Sequence, residues 1–288
     1  MENPSLFCFG LGYSAKRLSE NLMAEGWTVS GTCRDADQAA VLNDEGIEAH
    51  LFDGQGEANA AWLDGATHVL NSVPPGKQGD PVLRAFSKII AGRHDLTWIG
   101  YLSTTGVYGD TGGEWVDETA PVRADVPRSQ HRAEAEQAWM ALHRDHGLPV
   151  HLFRLAGIYG PGRSPLDTIR AGKARRIDKP GHRFSRIHVD DIAQVLRASI
   201  AKPNPGAVYN VCDDEPAEPA TVTAFGCELL GIEPPELVPF EDAAKTMTPM
   251  GLSFWQDNRR VRNDRIKDEL GVKLAFPTYR EGLRGLLD

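Results

Sequence analysis

No stretch of the 288 residues supplies the roughly 18 consecutive apolar residues that a membrane-spanning helix needs. The opening MENPSLFCFG lacks a basic segment followed by an apolar one, so no secretory leader is expected. Cysteine is scarce. Cys8, Cys33, Cys212 and Cys227 lie far apart and form no CxxC pair. That argues against a disulfide framework or a thiolate metal site, and for a reducing, cytoplasmic setting. Basic residues are outnumbered, 31 Lys+Arg against 40 Asp+Glu, for a formal charge of −9. So acidic a surface disfavours loose contact with nucleic acid or an anionic membrane, and no partner of either kind is expected. A local basic pocket for a phosphate remains compatible with it. Repeats and low-complexity tracts are missing too. What is present is 41% hydrophobic and 25% charged, enough for a packed core and too apolar for wholesale disorder. The length fits two domains, or one large α/β domain with an appendage.

Short apolar runs alternate with helical patterns through the first half. Ser5–Phe9, Thr28–Thr32, Glu48–Phe52, Thr67–Ser72, Trp98–Ser103 and His151–Leu155 read as strands. Ser14–Glu25, Asp37–Glu45, Pro81–His94 and Ser129–His146 read as helices. Gly26 and Gly46 stop the first two. Strands spaced by such helices imply parallel βαβ units, because a parallel return needs a crossover. The fold class expected is α/β: a Rossmann-type, doubly wound parallel sheet with a smaller, interleaved C-terminal substrate lobe. Residues 1–160 are assigned to the dinucleotide-binding domain and 161–288 to a mixed C-terminal part. Within the latter, helix Val189–Ala201 and strand Ala207–Val211 are expected to rejoin the sheet. Helices near Thr221–Leu230 and Arg260–Leu270 are expected in the lobe.

Between the first strand and first helix stands Gly10-Leu11-Gly12-Tyr13-Ser14-Ala15, a G-x-G-x-x-A pattern. Gly10 permits the turn, Gly12 lets backbone approach a pyrophosphate, and Ala15 keeps helix close to strand. Main-chain amides from Gly10 to Ala15, Tyr13 and Ser14 included, are expected to hold the phosphates. Arg34 ends the second strand, where an NAD enzyme usually has a carboxylate. Arginine there suits the 2′-phosphate of NADP, which a carboxylate would repel. NADP is therefore favoured over NAD. The alternative is a solvated Arg34 with Asp35 or Asp37 reaching the ribose. Asp53 is read either as an acceptor for the adenine amino group or as a turn former. Ser72 and Val73 follow the fourth strand, where the sheet order reverses. They are expected at the cofactor ribose and phosphate, the alternative being a plain strand end.

Three further segments are similar to the extended short-chain dehydrogenase/reductase family, the group of NAD-dependent epimerases and dehydratases. Ser103-Thr104-Thr105-Gly106-Val107-Tyr108-Gly109 resembles its S-S-x-x-V-Y-G segment. Arg154 through Tyr159-Gly160-Pro161-Gly162 resembles its R-x-x-x-x-Y-G-P-G loop, and Ile187-His188-Val189-Asp190-Asp191 its I-H-V-D-D segment. The stretch Glu269-Leu270-Gly271 to Phe276-Pro277 is similar to its tail. The ordered set covers nearly the whole chain.

The resemblance implies that Thr104 orients the substrate oxygen, with Ser103 beside it at the cofactor; a capped strand end is the alternative. It also implies a Tyr four residues before a Lys as acid and base. Here the chain departs. Aligning on Glu136 puts Arg132 at the Lys position and Arg128 at the Tyr position, and no Tyr lies in Arg123–Arg144. Arg132 can bond ribose hydroxyls. Arg128 can bind an anion but not shuttle a proton, since guanidinium keeps its charge. Such a pair suggests an acidic or phosphorylated small-molecule ligand, unless both arginines are a solvated face pairing with Glu134 or Glu136. His131, Tyr108 and Tyr159 are weaker proton donors by position.

His188, Asp190 and Asp191 read as structural, with Asp190 capping a helix and no metal site expected. Asn258–Asn263 is basic, placed by resemblance near the lobe or else a solvated helical face. Helices Pro81–His94 and Ser129–His146 pair subunits in many relatives, so a homodimer is plausible by resemblance; Trp139 and Met140 are otherwise core. The function expected is an NAD(P)-binding oxidoreductase or epimerase/dehydratase-like enzyme acting on a small carbonyl, hydroxyl or nucleotide-sugar type substrate. The rival is a catalytically silent NADP-binding sensor or scaffold.

Overall fold

The computed structural model describes residues 4–56 and 58–287. In chain order the elements are β1 (Ser5–Phe9), α1 (Tyr13–Ala24), β2 (Thr28–Cys33), α2 (Ala36–Asp44), β3 (Glu48–Leu51), β4 (His68–Asn71), α3 (Pro81–Ala91), β5 (Trp98–Thr104) and β6 (Trp115–Val116). Then come α4 (Pro127–His146), β7 (Val150–Leu155), β8 (Gly157–Tyr159), α5 (Pro165–Arg170), β9 (Arg176–Asp178), β10 (Arg186–His188), α6 (Val189–Ala201) and β11 (Val208–Val211). Last are α7 (Pro219–Leu230), β12 (Leu237–Pro239), α8 (Phe240–Ala244), α9 (Pro249–Ser253), β13 (Arg260–Val261), α10 (Asp264–Asp268) and α11 (Tyr279–Arg284).

Seven strands form one parallel sheet in the order β11-β7-β5-β4-β1-β2-β3. Winding starts at β1 and proceeds both ways, which makes the β1/β4 boundary the switch point where open α/β sheets bind ligands. Residue chemistry sets the local boundaries. Asp80 accepts the amides of Val82 and Leu83 ahead of Pro81, which starts α3. Ser164 and Asp167 form a capping box on α5, and Gly231 ends α7 in the left-handed conformation.

The chain divides into two compact units. One holds the described residues up to Thr104, with Pro127–Arg154 and Ile192–Tyr209. The other holds Thr105–Val126, Leu155–Asp191 and Asn210 onward. The segment Thr105–Val126, expected in the first domain, therefore lies in the second unit, where β6 pairs in parallel with β13. The expected helix Arg260–Leu270 is corrected: Arg260–Val261 is strand and helix begins only at Asp264. The first unit's core gathers Phe7, Phe9, Phe86, Ile99, Tyr101 and Trp139, all fully buried. In the second, Tyr159, Leu166, Phe225 and Tyr279 form one cluster, and Ile177, Ala243 and Trp255 another. Among the described residues no helix is long and apolar enough to cross a membrane.

Two core histidines make the first unit acid-sensitive. His151 is fully buried, with Nδ1 3.3 Å from the Ile99 carbonyl and Nε2 accepting the Asn204 amide at 2.9 Å. His68 lies between Thr67 and Thr97. Burial pulls both from 6.5 to about 4. As pH falls the unfolded chain protonates first, so stability present above pH 6.5 is lost toward pH 4, at up to about 1.4 kcal/mol per pH unit for each histidine. Burial pushes the carboxyl of Asp80, in the same unit, up instead, which offsets part of that slope. The histidine share is therefore read as a difference. His151→Gln should remove about one proton's worth of acid sensitivity from urea unfolding between pH 6.5 and 4. An unchanged slope would contradict it.

Candidate active site

The turn after β1 is clamped from both neighbouring strands. Gly10 has φ +83°, and a Cβ there would stand 3.0 Å from both Ser72 Oγ and Val73 Cγ2. The Gly10 amide donates to Thr32 Oγ1 at 2.9 Å and the Leu11 amide to the Thr32 carbonyl at 2.7 Å. Ser72 Oγ donates to the Gly10 carbonyl at 2.5 Å. Two of the amides expected at a phosphate are thus spent on the turn, which narrows that expectation to the first turn of α1.

Gly12 caps that helix and has no such internal reason to be glycine. Its φ is −86°, and a Cβ would meet nothing within 4 Å. Among the described residues no side chain caps α1. The missing side chain clears space above a helix start whose first-turn amides have no carbonyl partner within the helix. Ser14 and Ala15 form the buried floor. Amides, positive dipole end and cleared space together fit a pyrophosphate.

Arg34 follows β2 and is exposed, with no ion pair among the described residues. Asp35, its rival for the ribose, caps α2 by accepting the Gln38 amide at 2.8 Å. Asp53 serves its turn, with Oδ1 accepting the Gln55 amide at 2.8 Å. It also lines a cavity of about 410 Å³ with Gln55, Pro74, Lys77 and Arg84. Arg84 ties the two rims together through the carbonyls of Gly54 and Gln78.

Asp80 was not singled out from the sequence. Its buried carboxylate takes Asn71 Nδ2 at 3.0 Å and Trp139 Nε1 at 2.9 Å besides its two helix amides. It joins the end of β4 to α3 and α4. Burial pushes its carboxyl up, with Trp139, the two amides and Arg132 pulling back. The available signal was an aspartate before Pro81 at a helix start.

On α4, Arg128 is exposed in the first turn and Arg132 half-buried one turn on. Arg132 donates to the Leu102 carbonyl, reaches the Tyr101 hydroxyl at 3.4 Å and lies over that ring. Glu136 is not its partner. Arg154 holds Glu136 with Nη2–Oε2 at 2.7 Å and Nε–Oε1 at 3.0 Å, and Ser103 Oγ donates to Oε1 at 2.6 Å. All three are buried. The Ser103 proton is thereby spent on Glu136, which leaves only its oxygen lone pair for a cofactor. Thr104, half-buried, closes β5.

The second unit uses its singled-out residues internally. Tyr108 donates to Asn210 Oδ1 at 2.7 Å. Tyr159 packs its hydroxyl where a Gly282 side chain would be, and burial pushes its phenol up. Asp191 accepts the Ala275 and Phe276 amides, and His188 Nδ1 the Asp190 amide at 3.2 Å. Because α6 starts at Val189, Asp190 sits in its first turn and not at the cap. Arg260, in β13, and Arg262, just after it, flank the Trp115 ring at 5.2 and 5.3 Å, not from the helical face considered for them.

Residues 90–212 match the model of the NAD dependent epimerase/dehydratase family. The chain is 30% identical to Protein YeeZ of Escherichia coli (strain K12) over 280 residues, 93% of this chain and 94% of that relative. It is 52% identical, with a TM-score of 0.92, to the structure of a functionally unknown conserved protein from Silicibacter pomeroyi, covering 99% of this chain and 98% of that one. The fold alone is shared with dTDP-glucose 4,6-dehydratase of Bacillus anthracis, solved with NAD, at 17% identity and TM-score 0.78 over 99% and 95% of the chains. The ordered motifs, the clamped glycine turn and a full-length relative agree, and the chain belongs to the NAD-dependent epimerase/dehydratase family.

Proposed function

We propose that the protein is an NADP-preferring oxidoreductase or epimerase/dehydratase-type enzyme. Its substrate is a small anionic carbonyl or hydroxyl compound, nucleotide sugars included. The observation that carries this is Gly12, a glycine that neither its φ nor its neighbours require, over an uncapped helix start. When bound, the coenzyme supplies or accepts a hydride. The chain's part is to seat and orient. First-turn amides from Gly12 to Ala15 hold the diphosphate, and Ser72 and Val73 border the ribose. Arg34 pairs with the 2′-phosphate and Asp53 accepts from the adenine. Arg132 bonds the nicotinamide ribose, Thr104 donates to the substrate oxygen, and Arg128 holds the anionic group. Epimerase and dehydratase neighbours solved with NAD support coenzyme binding; the preference for NADP rests on Arg34.

Arg34→Ala should weaken NADP binding about 10- to 100-fold, the worth of a charged hydrogen-bonded pair, and leave NAD binding unchanged. Calorimetric titration measures both. Tighter binding of NAD than NADP by the wild type would overturn the preference. The missing Tyr/Lys pair favours a second reading, a silent NADP sensor or scaffold. Coenzyme binding without turnover across a broad panel of carbonyl compounds and sugar nucleotides would select it.

A further inference from the structure

Two loops at the carboxyl edge of the parallel sheet enclose the cavity that Asp53 lines. One follows β3 and holds Asp53, Gly54 and Gln55; the other follows β4 and holds Pro74 and the hairpin Gly76–Gly79. The hairpin closes on itself, Gly76 and Gly79 exchanging amide-to-carbonyl bonds of 3.1 and 2.9 Å. Among the described residues its hydrogen bond to the rest of the fold comes from Arg84, whose Nη1 donates to the Gln78 carbonyl at 3.4 Å. Nη2 of the same guanidinium donates to the Gly54 carbonyl. Gly54 also lies close against the start of α3, where a Cβ on it would stand 3.1 Å from Pro81 Cβ. One side chain of α3 thus sets the spacing of both walls. Arginine suits this, because its planar fork fixes two acceptors at once, which an ammonium on a flexible stem does not.

The lining suits a flat heterocycle with a donor on its edge. About 410 Å³ is the size of a small-molecule site. Pro74 and Pro81 supply apolar faces. Asp53 brings a carboxylate, which repels a phosphate and accepts from an amino group. Lys77, exposed at the hairpin tip, offsets that charge without removing the acceptor. Adenine presents an amino donor at C6, whereas guanine and hypoxanthine present a carbonyl there. Arg84 gives both terminal nitrogens to loop carbonyls, so it acts through the walls.

We infer that Arg84 is a positioning residue for the coenzyme's adenine. By strapping the two loops it holds Asp53 and Pro74 at the width of the base, and so lets Asp53 tell adenine from a 6-oxo purine. This rests on the coenzyme reading above and adds to it the residue that shapes the seat of the base. Walls strapped beforehand need no ordering when the base enters, whereas loose walls must be ordered by the ligand.

The test titrates the full-length protein by calorimetry with NADP and with its hypoxanthine analogue, whose purine carries oxygen in place of the amino group. The wild type should bind NADP about 10- to 100-fold more tightly, the worth of a hydrogen bond to a charged acceptor. Arg84→Ala should weaken NADP binding about 10-fold and bring that ratio down to about 3 or less. Arg84→Lys, which keeps the charge but not the fork, should give a ratio between the two. Arg84 is exposed, so thermal melts should show both variants folded. A merely structural role, or the loss of a positive charge near the coenzyme, weakens both ligands alike and leaves the ratio as in the wild type. That result overturns the inference, and so does a wild type that binds NADP without discriminating against the analogue. If neither NADP nor NAD binds at millimolar concentration, the coenzyme reading itself falls.

Discussion

A Gly12→Val variant should fold as the wild type does and bind the coenzyme about 100-fold more weakly, a loss near 3 kcal/mol. Its backbone, φ −86° and ψ −171°, suits any L residue, and the added Cβ meets no atom within 4 Å. The stability cost is that of an apolar residue at an N-cap, about 1 kcal/mol or less, which lowers the melting temperature by roughly 2–4 °C. The two added methyl groups stand where a diphosphate must approach the first turn of α1. Gly10→Ala behaves in the opposite sense. At φ +83°, with Ser72 and Val73 already 3.0 Å from its new Cβ, it strains the fold itself. Thermal melts without coenzyme and calorimetry with it separate the two. Undiminished binding by Gly12→Val would show that the glycine gap is not the seat.

Breaking the Glu136–Arg154 pair should be the most damaging single change to stability. Both side chains are nearly inaccessible, 5% and 7% exposed, and Ser103 completes the set. Glu136→Gln keeps the shape but leaves the Arg154 guanidinium buried without its countercharge. The expected loss is about 3–5 kcal/mol in urea unfolding. Replacing both partners together, Glu136→Leu with Arg154→Met, should cost much less, because no charge is then stranded. A loss under about 1 kcal/mol for Glu136→Gln would mean that water reaches the pair.

The glycine turn between β1 and α1 was legible because its determinants are local: strand, glycines and helix start occupy eleven consecutive positions, Ser5–Ala15. The sheet strands were legible for the same reason, as apolar runs between helical patterns. Partnerships across the fold were not. Nothing near Asp80 announces Asn71 or Trp139, and nothing near Glu136 distinguishes Arg154 from Arg132 as its partner. Arg132 is one turn away along the helix, yet the strand-borne Arg154 makes the ion pair. Residues 260–270 failed for a related reason. Ile266 and Leu270 fit a helical spacing, but Arg260–Val261 is drawn into a ladder with Trp115–Val116, far away in the chain. The bond from Ser103 to Glu136 was equally hidden, since a periodic pattern locates a strand end without saying which way its hydroxyl turns.

A crystal structure of the full-length protein grown with NADP addresses the cradle itself. Diphosphate oxygens within hydrogen-bonding distance of the first-turn amides of α1, over the gap at Gly12, are the expected result. A coenzyme seated elsewhere, or none bound at millimolar concentration, would contradict it.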